Sequence, residues 1–320
     1  MSQELRTVVL PAEVGLTLAA LLRRHLEAYS WSQVRRLVAT RRVRINGELC
    51  LDPARRVKLG DAVELTARPA PVPRLAEAVV VRYLDADLVV VEKPAGLSST
   101  RHPSERFWPE RRKALTPTLE DVVPRLIAQR EKRPLTSIPR LRIVHRLDKE
   151  TSGLLVLART VAAEQGLGRQ FHRHTVTRRY LALVHGTPTP GRIVSRLVRD
   201  RGDGRRGSSR VPGVGKEAIT HVEIVEALGE YTLVSCRLET GRTHQIRIHL
   251  AEQGHPICGE KVYHRPLGGE PRPDRSGAGR LMLHAAELGF LHPLRREALH
   301  FEMALPADFR SLLERLRRGG

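Results

Sequence analysis

The sequence predicts an α+β protein: a mixed, mainly antiparallel β-sheet with peripheral helices, preceded by a small α/β unit. Three observations carry this. Strand-like runs follow one another without a helix between every pair, which argues against a doubly wound parallel sheet. Neither a dinucleotide-type glycine fingerprint nor a P-loop Gly-Lys-Ser/Thr is present. A proline-rich stretch, Ala67-Arg68-Pro69-Ala70-Pro71-Val72-Pro73-Arg74, divides the chain, because such a segment is extended and fairly stiff. The expected layout is a first unit over residues 1–66, a linker over 67–77 and a second unit over 78–320.

In the first unit, Leu18, Leu21 and Leu22 fall at helical spacing ahead of Arg23-Arg24. Ser30-Trp31-Ser32-Gln33 has the spacing of a capping box. The helix it starts places Trp31, Val34, Leu37 and Val38 on one face and Arg35 and Arg36 elsewhere. Arg42-Val43-Arg44-Ile45 alternates as a strand, and Asn46-Gly47 is a hairpin turn signal. Gly60-Asp61 precedes a last short strand, 62–65. Between residues 20 and 58 stand ten basic residues (Arg23, Arg24, Arg35, Arg36, Arg41, Arg42, Arg44, Arg55, Arg56, Lys58) against Glu27, Glu48 and Asp52.

In the second unit, 78–81 and 88–91 read as strands. The segment 100–140 is polar, with one helix near 119–130. Pro124 lies inside it, so that helix can begin only there if the proline is to sit in its first turn. The run Leu154-Leu155-Val156-Leu157-Ala158 predicts a strand buried on both faces, and Thr151-Ser152-Gly153 a tight turn before it. Asp148 is then expected in a loop pinned to the edge of a rigid sheet, where reactive groups are common. His145, Arg146 and Lys149 frame it, and positive neighbours favour the anion. The stretch 199–216 is rich in Gly, Arg and Ser and predicts a mobile loop, whose arginines either clamp phosphates or solvate a hairpin tip. Residues 231–238 alternate as a strand. Residues 245–253 read as a helix with Gly254 as its cap, and 307–318 as an amphipathic terminal helix.

The chain of 320 residues has 55 Lys and Arg against 35 Asp and Glu, a formal net charge of +20. That surplus implies a polyanionic partner, nucleic acid or an anionic membrane surface. No apolar run approaches the ~20 residues that span a bilayer, and the N-terminus lacks the pattern of a secretory signal. Cys50, Cys236 and Cys258 are odd in number and far apart, which suits a reducing cytosol rather than a disulfide framework. A cytoplasmic monomer without membrane contact is expected.

Five segments, in order, resemble the signatures of the RluA-type RNA pseudouridine synthases. They are Val89-Val90-Val91-Glu92-Lys93-Pro94-Ala95-Gly96-Leu97; His145-Arg146-Leu147-Asp148 with Thr151-Ser152-Gly153; Arg178-Arg179-Tyr180-Leu181-Ala182-Leu183-Val184-His185-Gly186; Gly241-Arg242-Thr243-His244-Gln245-Ile246-Arg247-Ile248-His249; and Leu283-His284-Ala285-Ala286 through His292-Pro293. The first unit resembles the small RNA-binding domain named after ribosomal protein S-four, over roughly residues 12–66. The resemblance implies an isomerase that flips a uridine out of the RNA stack and acts with one aspartate, Asp148. It implies that Tyr180 stacks on the uracil, that Arg247 pairs bidentately with Asp148, and that Arg146 helps hold the flipped state. Lys93, Leu283 and Arg242 are expected to shape the substrate pocket, and Arg35, Arg36, Arg41, Arg42 and Arg44 to contact RNA. Loss of Arg247 is expected to affect rate far more than stability. Whether Asp148 attacks the sugar or removes a sugar proton stays open. No metal or redox cofactor is needed, since the net reaction is an isomerisation.

Gly259-Glu260-Lys261-Val262-Tyr263-His264 departs from the family's Gly-Asp-x-x-Tyr-Gly, which bears on the local turn. The spacer 100–140 is longer than the family pattern leads one to expect; it is a substrate-facing insertion or, preferably, an unimportant surface loop. Large-subunit ribosomal RNA is the favoured substrate, with transfer RNA as runner-up. Two alternatives are weighed against the synthase. A non-catalytic RNA-binding or ribosome-assembly factor would not need Asp148, Tyr180 and Arg247 together. A hydrolase using Asp148 with His145 lacks a nucleophile elbow. His172 with His174, and His244 with His249, are not accompanied by a metal-binding motif.

Overall fold

The computed structural model describes residues 4–70, 77–264, 270 and 273–319. Contacts divide the chain into residues 1–73 with 109–115, and residues 74–108 with 116–320. The return of 109–115 to the first unit is an excursion that a single linker does not anticipate. Residues 71–76 of the expected linker lie outside the described residues.

The first unit contains β1 (Leu5–Val8), α1 (Leu18–His25), α2 (Trp31–Ala39), β2 (Val43–Ile45), β3 (Glu48–Leu49), β4 (Ala62–Leu65) and α3 (Glu110–Lys113). Its strands form an antiparallel sheet in the order β1-β4-β2-β3. The capping box forms: Ser30 Oγ accepts from the Gln33 amide at 3.3 Å and the Gln33 side chain accepts from the Ser30 amide at 2.6 Å. Such caps are worth about 1 kcal/mol. Leu18, Leu21 and Leu22 of α1 and Val34, Leu37 and Val38 of α2 pack on Val43, Ile45 and Val63. Trp31 does not join that face; as the first helical residue it stays 49% exposed. Asn46 and Gly47 both have positive φ (54° and 76°), the backbone that an Asn-Gly hairpin turn supplies.

The second unit contains β5 (Val80–Leu84), β6 (Leu88–Lys93), α4 (Leu119–Glu131), β7 (Arg142–Ile143), β8 (Ser152–Ala158), α5 (Val161–His172), β9 (Thr177–His185), β10 (Gly191–Val198), β11 (Gly207–Ser208), β12 (Lys216–Leu228), β13 (Tyr231–Leu238), α6 (Gln245–Glu252), β14 (Leu283–Leu291), β15 (Ala298–Glu302) and α7 (Ala307–Gly319). The sheet runs β11-β10-β12-β13-β9-β14-β8-β6-β5, with β15 also pairing β14 and β7 pairing β8. Among the described residues the named strands pair parallel only at β14 with β8, at His284–Ser152 and Ala285–Gly153, beside an isolated parallel bridge between Ser98 and Thr118. The sheet is therefore mixed and mainly antiparallel, as expected.

Helices cover both faces of the sheet. Leu155 and Leu157 of β8 face the same core as Val122, Val123 and Ile127 of α4 and Phe309, Leu312 and Leu313 of α7. Leu154, Val156 and Ala158 face Ala163 and Leu167 of α5. Alternation with period two sends successive apolar residues to opposite cores, so the whole of β8 is buried. β8 is interior, flanked by β14 and β6, so the loop carrying Asp148 hangs from a central strand and not from an edge. The helix α4 begins at Leu119, five residues before Pro124: Thr118 and Asp121 close a capping box, and burial of Leu119, Val122 and Val123 outweighs the one backbone bond that proline removes. The loop 199–216 carries β11, which pairs with β10 at Leu197–Ser208 and Val198–Gly207.

Candidate active site

The loop between β7 and β8 is fixed from both sides. Ser99 Oγ donates to the Leu147 carbonyl at 2.8 Å and accepts from the Leu147 amide at 3.1 Å. The Thr151 amide donates to the Asp148 carbonyl at 3.1 Å. Behind the loop lies Lys93, fully buried, whose Nζ donates to the carbonyls of Pro94 (3.0 Å), Leu97 (2.8 Å) and Lys149 (3.0 Å). Burial lowers its pKa from 10.5 to about 7, with the charges of Glu150 and Asp148 opposing the shift. Lys93 is not among the residues that line the cleft around Asp148. The expectation that it shapes the substrate pocket is corrected: it holds the loop that carries Asp148 from behind, through three backbone carbonyls. Gly153 is required where β8 meets β14. Its φ is 127°, and a Cβ there would run into the Ala285 backbone.

Asp148 opens into a cleft of about 420 Å³ lined also by Tyr180, Arg247, Arg146, Arg242 and Leu283. Tyr180 stands on β9, between Cys236 of β13 and Ala285 of β14. It is 8% exposed, and burial raises its pKa, so the phenol stays protonated. Leu283 begins β14 beside Ala182. Arg146 is exposed on the rim. Arg242, also exposed, donates from Nε to the Glu217 carbonyl at 2.8 Å. Six of the seven residues assigned from sequence to the catalytic and substrate-binding sets thus surround one cleft, and Lys93 stands behind it.

Arg247 is placed by α6, which is buried along its length from Gln245 to Leu250. Gln245 locks the start of that helix. Its Oε1 accepts from Thr240 Oγ1 (2.7 Å) and the Arg242 amide (3.0 Å), and its Nε2 donates to Ile219 O (2.9 Å) and Thr220 Oγ1 (3.0 Å). Arg247 then donates from Nε and Nη2 to Glu260, both at 2.7 Å, and from Nη1 to Asp148 at 3.3 Å. The bidentate partner is Glu260, not Asp148 as expected from the resemblance. Glu260 is reached because Gly259, at φ 81°, makes the turn, and the amides of Val262 and Tyr263 donate to Glu260 Oε1. Burial disfavours the Glu260 anion, yet the bonds from Arg247 hold its carboxyl below the usual range. Burial likewise opposes the charge on Arg247, and Glu260 and Asp148 together raise its pKa. The departure in the Gly-Asp-x-x-Tyr-Gly segment is therefore the anchor of the site.

Two further groups were missed from sequence. The Tyr263 hydroxyl lies 2.7 Å from His244 Nδ1, which leaves Nε2 facing Asp148 Oδ1 at 3.8 Å. The Tyr263 ring lies 5.3 Å from the Arg247 guanidinium. His145 is not a cation framing Asp148. Its ring stacks on Phe171 at 4.6 Å, its Nε2 accepts from the Val156 amide at 3.1 Å, and burial pushes its pKa down to about 3. With that lone pair occupied, His145 does not serve as the base of a hydrolase. His249 is turned away into the core, bonded to Thr220 and Ser195.

In the first unit, Arg35 and Arg36 are exposed on α2. Arg41 is not: 5% exposed, it donates to the carbonyls of Ala70 and Leu115. Its assignment to RNA contact is corrected to a backbone tie. Arg42 and Arg44 are half-buried and donate to Thr66 O (2.8 Å) and Gly47 O (2.9 Å). Among the described residues, no helix is long and apolar enough to cross a membrane.

Comparison with known proteins agrees with this geometry. Residues 87–252 match the RNA pseudouridylate synthase family model, and residues 16–63 match the S4 domain. The chain is 38% identical over 298 residues to the uncharacterized RNA pseudouridine synthase YlyB of Bacillus subtilis, covering 91% of each. It is 36% identical to ribosomal large subunit pseudouridine synthase D of Neisseria meningitidis, over 97% of this chain and 81% of that one. The enzyme of the same name in Escherichia coli O157:H7 is 33% identical, over 98% and 94%. The solved structure of human RNA pseudouridylate synthase domain containing 4 superposes with a TM-score of 0.60 at 25% identity, covering 76% of this chain and 95% of that one. With the family model spanning half of its length and these relatives nearly all of it, the chain belongs to the RNA pseudouridylate synthase family and carries an S4 domain ahead of its synthase domain.

Proposed function

We propose that this isomerase converts uridine to pseudouridine in large-subunit ribosomal RNA, with Asp148 as the catalytic carboxylate. The observation that carries the reading is the arrangement of Asp148 in a closed-backed cleft, 3.3 Å from an arginine that a buried glutamate fixes in place. In the reaction the bond from ribose C1′ to uracil N1 breaks, the base turns, C1′ joins C5, and the C5 proton leaves to water while N1 gains one. Both routes available to Asp148, attack on the sugar and removal of a sugar proton, use the carboxylate that the 3.3 Å bond from Arg247 orients. Tyr180 offers the uracil a flat face and a protonated hydroxyl. Arg146 on the rim holds the flipped state, and Leu283 and Arg242 bound the pocket. Arg35 and Arg36 of the S4 unit contact phosphate. The names of the relatives and the S4 unit favour ribosomal over transfer RNA. The three buried, free cysteines suit the cytoplasm.

The test uses large-subunit ribosomal RNA and total transfer RNA, each transcribed with uridine tritiated at C5. The purified chain should release tritium from the ribosomal transcript. Release from transfer RNA alone would overturn the substrate assignment.

A further inference from the structure

Beside the Asp148 cleft lies a second one, of about 620 Å³, which the chemistry above does not use. One wall is the stretch from Ser98 to Arg106, the start of the long spacer; the other is Arg140–Arg146. Arg146 lines both clefts and forms the ridge between them. All of these residues belong to the second unit.

The charges around this cleft do not cancel. Arg101, Arg106, Arg140, Arg142 and Arg146 line it against Glu105, Glu120 and Glu164, five charges against three and a surplus of two; Glu164 takes Arg142 at 2.9 Å, Glu105 lies 3.9 Å from Arg101, and Glu120 accepts the Arg101 amide at 2.9 Å. Arg101 itself is held by Asp121 at 2.6 Å. Arg106, Arg140 and Arg146 remain, all exposed, and the structure gives their guanidinium groups no hydrogen-bond or ion-pair partner among the described residues. Three guanidinium groups outside any ion pair, in a cleft whose lining is net positive, attract anions, and the guanidinium fork matches a phosphate. The residue after Arg106, Phe107, is 93% exposed. An aromatic ring left bare in water next to a basic cleft is the combination that single-stranded nucleic acid uses, phosphate on arginine and base on ring. A uridine seated at Asp148 must have its chain continue over some rim of that cleft, and Arg146 is the rim the two clefts share.

We propose that the second cleft holds the phosphate and base of a nucleotide flanking the target uridine, in a single-stranded stretch of the same RNA, with Arg106 and Arg140 as phosphate contacts. The proposal rests on the reading of the Asp148 cleft as the uridine site. It makes the spacer after Thr100 a substrate-facing element rather than an unimportant loop.

The test uses the full-length chain and the tritiated large-subunit transcript. Affinity is measured over a range of salt for the wild type and for Arg106→Gln/Arg140→Gln, with the saturated single-turnover rate alongside. Two lost contacts at about 0.7 each should flatten the slope of log affinity against log salt by roughly 1.4 on a single strand. The saturated rate should not change, since neither residue touches the reacting atoms. Arg106→Lys/Arg140→Lys should restore the slope. Arg310→Gln/Arg318→Gln on α7 removes the same charge elsewhere and should leave the slope as it was. An unchanged slope in the cleft variant, or an equal flattening in the α7 variant, would overturn the proposal. A wild type that releases no tritium refutes the parent reading; one that does, while the cleft variant keeps the full slope, refutes the cleft alone.

Discussion

Arg247 gives the Nε–Nη2 edge of its guanidinium to Glu260, both bonds at 2.7 Å, and its remaining nitrogen, Nη1, to Asp148 at 3.3 Å. The consequence is a division of labour. Glu260 fixes the arginine, and the arginine stabilises Asp148 without immobilising it in a two-point clamp. For the chemistry proposed at Asp148, one longer contact serves better than two short ones, which the reaction would have to break.

A double-mutant cycle follows from this pair. Arg247→Met leaves the Glu260 carboxylate buried without its counter-ion, and Glu260→Leu does the converse; each should cost about 3–5 kcal/mol. The double variant should cost less than the sum by about 2–3 kcal/mol. Stability is read by urea unfolding. Strict additivity would mean that the pair is not coupled. Sequence alone suggested that Arg247 matters for rate and little for stability; a buried Glu260 makes both fall.

Lys93 predicts a pH dependence. The unfolded chain keeps its proton up to the ordinary value of 10.5, while the folded chain releases it near 7. Between these values the unfolded state binds more protons, so this group makes stability rise with pH. In Lys93→Met that contribution vanishes, and the orphaned carbonyls of Pro94, Leu97 and Lys149 should cost roughly 1–3 kcal/mol. Unfolding midpoints at pH about 7.5 and about 9.5 test this: an identical pH difference in wild type and variant would show that Lys93 does not titrate in this range.

For the S4 unit, the exposed pair on α2 is the cleaner probe. Deleting residues 1–70 would strip 109–115 of the unit they pack with. Arg35→Gln/Arg36→Gln should instead flatten the salt slope of RNA binding by roughly 1.4 to 1.8 and leave the saturated rate alone. A slope equal to that of the wild type would mean these arginines are merely solvated.

What was legible in the sequence follows from how local each signal is. The strand at Leu154–Ala158 and the capping box at Ser30 are written in adjacent residues, and both form. The helix α5 was not read, because Gly166 and Gly168 break its pattern; Gly166 is there so that Pro293 can approach, where a Cβ would come within 2.6 Å. Strands β10, β12 and β15 were not read either. They mix charged and apolar residues, as in Lys216–Leu228, where a bulge at Ile224–Glu226 also interrupts the alternation. The site shows the same limit. Asp148, Tyr180 and Arg247 stand in ordered motifs, but the Glu260 contact spans a turn after α6 that no spacing rule describes, and Lys93 looks like a surface cation until its three carbonyl acceptors are seen.

The central claim is that one carboxylate, Asp148, performs the chemistry. Asp148→Asn keeps size and hydrogen-bonding reach and removes the negative charge next to Arg247. Single-turnover tritium release from the C5-labelled ribosomal transcript should fall by at least about 10²–10⁴-fold, while RNA affinity holds or rises. Turnover close to that of the wild type would contradict the account.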